Sequence, residues 1–208
     1  MKRFLLSALL VLGLSVPTFA AQDRAVDDVD GAIAFVQDLG DKTIEILNDM
    51  ASSKQDRSDK FRVLFHEALD INIVTRALLG RHYRKVRSEG LVPAYQDAVT
   101  NYIITEFEQN IQLVGILGLT IDDTRPAPGQ RGELMVRTTI DVNEGDDVIA
   151  DWRLQKKNGV FSIINMEVLG YNFIVTGRSL FGDRISALGF EGHIAELNDK
   201  YKPANSSS

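Results

Sequence analysis

Cysteine is absent from all 208 residues of this chain, which excludes disulfide staples, thiolate metal sites, thiol nucleophiles and a lipidated N-terminal cysteine. Histidine is scarce, with three residues; His66, His82 and His193 lie far apart in sequence and do not read as a ligand set. No apolar run reaches the roughly 20 residues that a membrane-spanning helix needs. The run Phe4 to Val16 has 13 and is closed by Pro17. With Lys2 and Arg3 before it and Thr18-Phe19-Ala20 after it, this run has the form of a secretory signal cut after Ala20. Positive charge is in deficit: 23 Lys+Arg against 29 Asp+Glu give a formal charge of −6, which becomes −8 when Lys2 and Arg3 leave with the signal. That balance argues against a general nucleic-acid binder and against membrane binding by overall charge, leaving room only for a local basic patch.

What remains is organised as residues 1–20 signal, 21–202 one domain and 203–208 a disordered tail. About 188 residues suffice for one domain with a real core and not for two. The first half has a helical period. Val29, Ile33, Val36, Ile44, Leu47 and Met50 recur at three-to-four spacing, with Gly40 a point at which this helix kinks or splits. Ser58 is read as the N-cap of a helix carrying Phe61, Leu64, Phe65 and Leu69, and Asp70 as the start of another that ends near Gly80. A longer helix, opened by Ser88, presents Leu91, Tyr95, Val99, Tyr102, Ile103, Phe107 and Ile111.

The period then changes to two. Leu134, Val136, Thr138, Ile140 and Val142 alternate with polar residues, as do Val148, Ala150, Trp152 and Leu154, and Val160 to Leu169 supplies a third strand. The Asn158-Gly159 pair marks a tight hairpin. Leu119 to Arg125 is expected as an edge strand, ending where Pro126 and Pro128 interrupt the chain. Two short helices, Phe173–Leu188 and Glu191–Tyr201, follow. The predicted fold is α+β: helices on one side of a curved antiparallel sheet of about four strands, NTF2-like and cone-shaped, enclosing an apolar cavity.

Catalytic motifs are missing. His66-Glu67 starts like a zinc-protease helix, but Asp70 stands where the second histidine ligand belongs. Gly177-Arg178-Ser179-Leu180-Phe181 starts like a nucleophile elbow and has Phe181 at the second glycine position, inside a helical segment. No phosphate-binding loop or dinucleotide fingerprint is present. The pairs Asp122-Asp123 and Asp146-Asp147 read as solvated turn residues. The basic segment Arg81, His82, Arg84, Lys85, Arg87 suits a helix C-terminus electrostatically; its alternative use is to meet phosphate groups or an acidic partner. No enzyme activity, metal or cofactor is expected.

The segment Phe65 to Arg84, FHEALDINIVTRALLGRHYR, resembles the MlaC family at Asp70, Leu79, Gly80, Tyr83 and Arg84. Leu91, Tyr95 and Val99 follow its apolar spacing. VLGYNFIVTGRSLF, from Val168 to Phe181, matches the family at Gly170, Phe173, Ile174, Val175, Arg178 and Phe181, and Gly189 and Leu197 suit its terminal region. Three positions depart from the pattern: Tyr83 stands where tryptophan is common, Phe161 replaces an aromatic usually tryptophan, and Gly177 replaces a tyrosine-like residue. These bear on the ligand more than on the fold, and a hopanoid-associated branch makes a polycyclic lipid the alternative cargo.

The resemblance implies a periplasmic phospholipid carrier of the toluene-tolerance type, a monomer that maintains outer-membrane lipid asymmetry. Its partners would be an outer-membrane lipoprotein complex and the substrate-binding ring of an inner-membrane ABC transporter. On that reading the cavity lies between Leu134, Val136, Ile140, Trp152 and Leu154 of the strands and Leu78, Tyr95, Val99, Tyr102, Phe173 and Ile174 of the helices. Tyr83 and Arg178 are placed at its mouth, against a headgroup. Two other readings remain at this stage: a periplasmic adaptor with a filled core, in which every one of these residues is ordinary core, and an enzyme on the same fold.

Overall fold

A computed structural model of the protein describes residues 19–129 and 132–201. The segment expected to be an export signal lies almost wholly outside the described residues and the tail after Pro203 entirely so, as does the side chain of Ile111. No helix among the described residues is long and apolar enough to cross a membrane.

The first helix, α1 (Phe19–Asn48), buries Ala32, Val36, Leu39 and Thr43 in one stripe of three-to-four spacing. Gly40 neither kinks nor splits it. An added Cβ there would stand 2.9 Å from Leu119 Cδ1, so glycine lets the helix lie directly on the first strand. Met50, expected on this stripe, lies past the helix end and is exposed. Helix α2 (Lys54–Ala68) begins five residues earlier than Ser58 predicts: Ser53 forms a capping box, its hydroxyl accepting from the Asp56 amide at 3.1 Å. The first turn of α2 is polar, so apolar period alone missed it. Asp70 caps α3 (Ile71–Leu79) as predicted, accepting from the Ile73 amide at 3.0 Å.

A 3-10 turn at Gly80–His82 leads into α4 (Tyr83–Ser88). Ser88 therefore closes a short helix instead of opening the long one. Gly90, with φ 73°, turns the chain, and α5 (Val92–Val114) starts with Pro93 in its first turn, where a missing N–H costs nothing.

Five antiparallel strands follow in sequential order: β1 (Ile116–Pro126), β2 (Glu133–Val142), β3 (Val148–Lys157), β4 (Val160–Val168) and β5 (Tyr171–Asn172). The fifth, two residues long, is the one the sequence reading did not count. Register shifts in β1 and between Arg153 and Leu154 mark bulges of the kind that curve a sheet. Helix α6 (Phe173–Lys200) breaks at Gly189, whose φ of 72° and ψ of −178° separate the two expected helical pieces.

Helices α1, α2, α3 and α6 contact the sheet, whose apolar face carries Val136, Trp152 and Leu154. The opposite face is charged. Asp151 accepts from Arg137 at 3.0 and 2.6 Å and from Arg125 at 3.3 Å. The Arg137 guanidinium holds the Asp151 carboxyl below the usual range. Beneath the sheet are two apolar clusters. One joins α1, α2 and the strands around Phe61, Phe65, Val136, Trp152 and Leu154. The other joins α3, α5 and α6 around Leu78, Tyr95, Val99, Phe181 and Ile194.

Candidate functional site

Between α1, α5, the start of α6 and the concave sheet face lies a cavity of about 540 Å³, within the range of roughly 300–1,000 Å³ common for small-molecule sites. Its α1 wall is Val36, Leu39, Gly40, Thr43 and Ile44; its sheet wall includes Leu119, Ile140, Ala150, Trp152 and Met166. Phe65, Tyr102, Glu106 and Phe107 complete the helical wall, and Phe173, Thr176 and the exposed Leu169 and Tyr171 line it on the side of the β4–β5 turn. Space survives here because small side chains stand at wall positions. Ala150 sits between the larger Val148 and Trp152 on the inward face, while Gly40 and Gly177 bring Leu119 and Leu78 in close beside the wall.

Most polar atoms of the walls are satisfied by the protein itself. Thr43 donates to the Leu39 carbonyl at 2.7 Å, and Trp152 Nε1 donates to Thr138 Oγ1 at 2.9 Å. Glu106 Oε1 accepts from the Tyr201 hydroxyl at 2.8 Å. Burial, followed by the neighbouring Glu106 charge, pushes the Tyr102 hydroxyl up to about 12, so it stays neutral. Asn172 Oδ1 caps α6, accepting from the Val175 amide at 3.1 Å. A ligand in the interior therefore meets mainly C–H surface. Among the described residues, no group of three or more histidine, aspartate or glutamate side chains is placed to hold a metal.

The residues named from sequence for the cavity walls divide into four groups. Tyr102, Ile140, Trp152 and Phe173 line the cavity, Tyr102 and Phe173 stacking at 5.6 Å. Leu134, Val136 and Leu154 belong to the apolar cluster under the sheet but lie outside the cavity wall. Leu78, Tyr95 and Val99 are buried in the second cluster, away from it. Ile174 borders a small adjoining cavity that shares Trp152 and Phe173 with the main one.

Tyr83 is half-buried at the edge of the second cluster, with the Arg76 guanidinium 5.7 Å above its ring. Arg178 is exposed; its Nε donates to the Ala77 carbonyl at 2.8 Å and its Cδ lies 3.1 Å from where a Gly80 Cβ would be. It therefore caps the end of α3. The sequence reading did not place Val36, Leu39, Thr43, Ile44, Ala150 or Met166 at a site. Periodicity marks most of them as inward-facing, and the only further signal is the small size of Ala150 and the nearby glycines.

A family model described as MlaC protein matches residues 37–199. No curated protein matches significantly. Among solved structures, the fold is similar to that of a phospholipid-binding protein from Ralstonia solanacearum determined in complex with a phospholipid. The TM-score is 0.58 at 20% identity, covering 87% of this chain and 96% of that one. At that identity the likeness bears on fold.

Proposed function

The chain belongs to the MlaC family, and from that premise we propose that it is a non-enzymatic periplasmic carrier that holds a phospholipid by its acyl chains. The observation that carries this reading is the cavity of about 540 Å³, walled by hydrocarbon with its polar groups mostly paired internally. The lipid captured with the Ralstonia solanacearum protein of the same fold supports it. Tyr102, Ile140, Trp152 and Phe173, together with the α1 residues Val36 and Leu39, would touch the chains. Residues 21–202 would form the single lipid-binding domain.

The physics favours an enclosed carrier. About 30 methylenes of a diacyl lipid exposed to water cost on the order of 25 kcal/mol, so tails cross an aqueous compartment only inside a protein. A bilayer hides the same tails, which makes the exchange between membrane and cavity nearly neutral in its apolar part. Direction must come from the docking partners: an outer-membrane lipoprotein complex at one end and the substrate-binding ring of an inner-membrane ABC transporter at the other. Such a shuttle maintains outer-membrane asymmetry.

Native mass spectrometry of protein purified from periplasm without detergent, followed by solvent extraction, tests the proposal. Stoichiometric phospholipid is the expected result. A hopanoid would move the chain to the related branch, and an empty protein that takes up no lipid from vesicles would overturn the carrier reading.

A further inference from the structure

Two hairpin turns in this chain share one backbone form. Asn158-Gly159, between β3 and β4, has φ values of 52° and 83°; Leu169-Gly170, between β4 and β5, has 50° and 82°. Both are two-residue loops with two positive φ angles, which favour asparagine then glycine. The first follows that preference. The second places leucine where a branched aliphatic residue is an outlier and gains nothing from burial, since Leu169 is 61% exposed. Tyr171, next in the turn, is 76% exposed, and Val175, in the first turn of α6, is 66% exposed. Leu169 and Tyr171 line the cavity while exposed to solvent, which makes them its rim, and Val175 stands next to the lining residue Thr176.

Basic residues follow on the same helix and on the segment it packs against. Arg178 lies three residues beyond Val175 on α6 and packs over Gly80, next to Arg81. From Ile71 to Ser88 the chain carries five cations, Arg76, Arg81, Arg84, Lys85 and Arg87, and no carboxylate. Lys85 has Glu89 at 3.8 Å, but among the described residues the exposed Arg76, Arg81, Arg84, Arg87 and Arg178 form no ion pair. In a chain of formal charge −6 this is a strong local reversal of sign.

We infer that the Leu169–Tyr171 turn and the adjoining arginines form a surface that docks the cavity mouth directly onto an anionic bilayer, the aliphatic and aromatic tips entering the interface while the guanidinium groups meet lipid phosphates. Strain retained for an exposed side chain points to a contact made outside the monomer. Three projecting side chains are too few for the roughly 800 Å² per partner of a standard protein interface. They suit a bilayer, where apolar insertion and attraction of cations to anionic headgroups act side by chain without a matching surface.

This inference rests on the carrier reading, and the test separates the two. Flotation of the purified protein is measured with phosphatidylcholine vesicles with and without phosphatidylglycerol, and its bound lipid is assayed separately. The protein is expected to float with the phosphatidylglycerol vesicles, and less so as salt is raised. Leu169→Asn is expected to raise the unfolding midpoint, because asparagine accepts the turn geometry, while lowering the vesicle partition by about tenfold. Arg81→Glu with Arg84→Glu is expected to abolish the phosphatidylglycerol dependence with bound lipid unchanged. A lipid-loaded protein that ignores phosphatidylglycerol vesicles would overturn the docking surface and leave the carrier intact, assigning the patch to an acidic protein partner. Protein that neither carries lipid nor takes it up from the vesicles would overturn the carrier reading itself.

Discussion

At the residue scale, the hydroxyls of Thr75 and Thr124 are buried without a partner, but two other buried polar pairs predict how the protein responds to substitution and to pH. Thr138 and Trp152 are diagonal neighbours across β2 and β3, where Thr138 pairs with Ala150 and Trp152 with Val136, and the indole N–H donates to the hydroxyl at 2.9 Å. Thr138→Val keeps the shape and orphans that N–H, which costs about 1–3 kcal/mol. Denaturant unfolding followed by the fluorescence of Trp152, the chain's single tryptophan, measures the loss. His193 is 1% exposed, and the Tyr95 hydroxyl, donating to the Phe190 carbonyl at 3.2 Å, leaves its oxygen for His193 Nδ1 at 3.3 Å. Burial pushes His193 down from 6.5 to about 4. Between those values the unfolded chain binds a proton that the folded one refuses, so stability present above pH 6.5 is lost as pH falls toward 4. His193→Gln is expected to flatten that part of the stability profile relative to the native protein. Neither pairing is visible in sequence, because each joins residues far apart along the chain.

At the element scale the legible features were those written in period and in local chemistry. Alternation placed β2 and β3, Asn158-Gly159 their neighbouring hairpin, and Asp70 the start of α3. Apolar period misjudged two helix starts, because Ser53 precedes a polar turn and Ser88 falls in a basic helix whose end depends on Gly90. Gly40 shows the limit of reading glycine as a breaker, since its role is close approach to Leu119, a contact set by tertiary packing. Gly189 is different. Its conformation lies in a region open essentially to glycine alone, and no atom stands within 4 Å of where its Cβ would be. Gly189→Ala is therefore expected to cost about 1–3 kcal/mol through backbone strain without any clash. A loss in denaturant midpoint checks this, and an unchanged midpoint would show that the break relaxes into continuous helix.

At the scale of the whole molecule, the sequence carried the α+β architecture and the inward faces but not the division between core and cavity. That division depends on which inward-facing positions have filled space opposite them. Leu78 reaches toward Gly177, where an added Cβ would meet its Cδ2 at 2.5 Å, and so belongs to closed core. Trp152, by contrast, has open space beside it. Because Trp152 is the only indole and lines the cavity, the account's central claim has an internal reporter. The decisive measurement is the quenching of Trp152 fluorescence by diacyl phosphatidylcholine brominated on its acyl chains, presented in vesicles to protein first stripped of lipid. If the cavity holds the chains, quenching rises to a plateau with stoichiometric lipid and is reversed by unlabelled phospholipid. Uptake of brominated lipid, confirmed by mass, with no change in Trp152 emission would contradict the claim by placing the chains elsewhere.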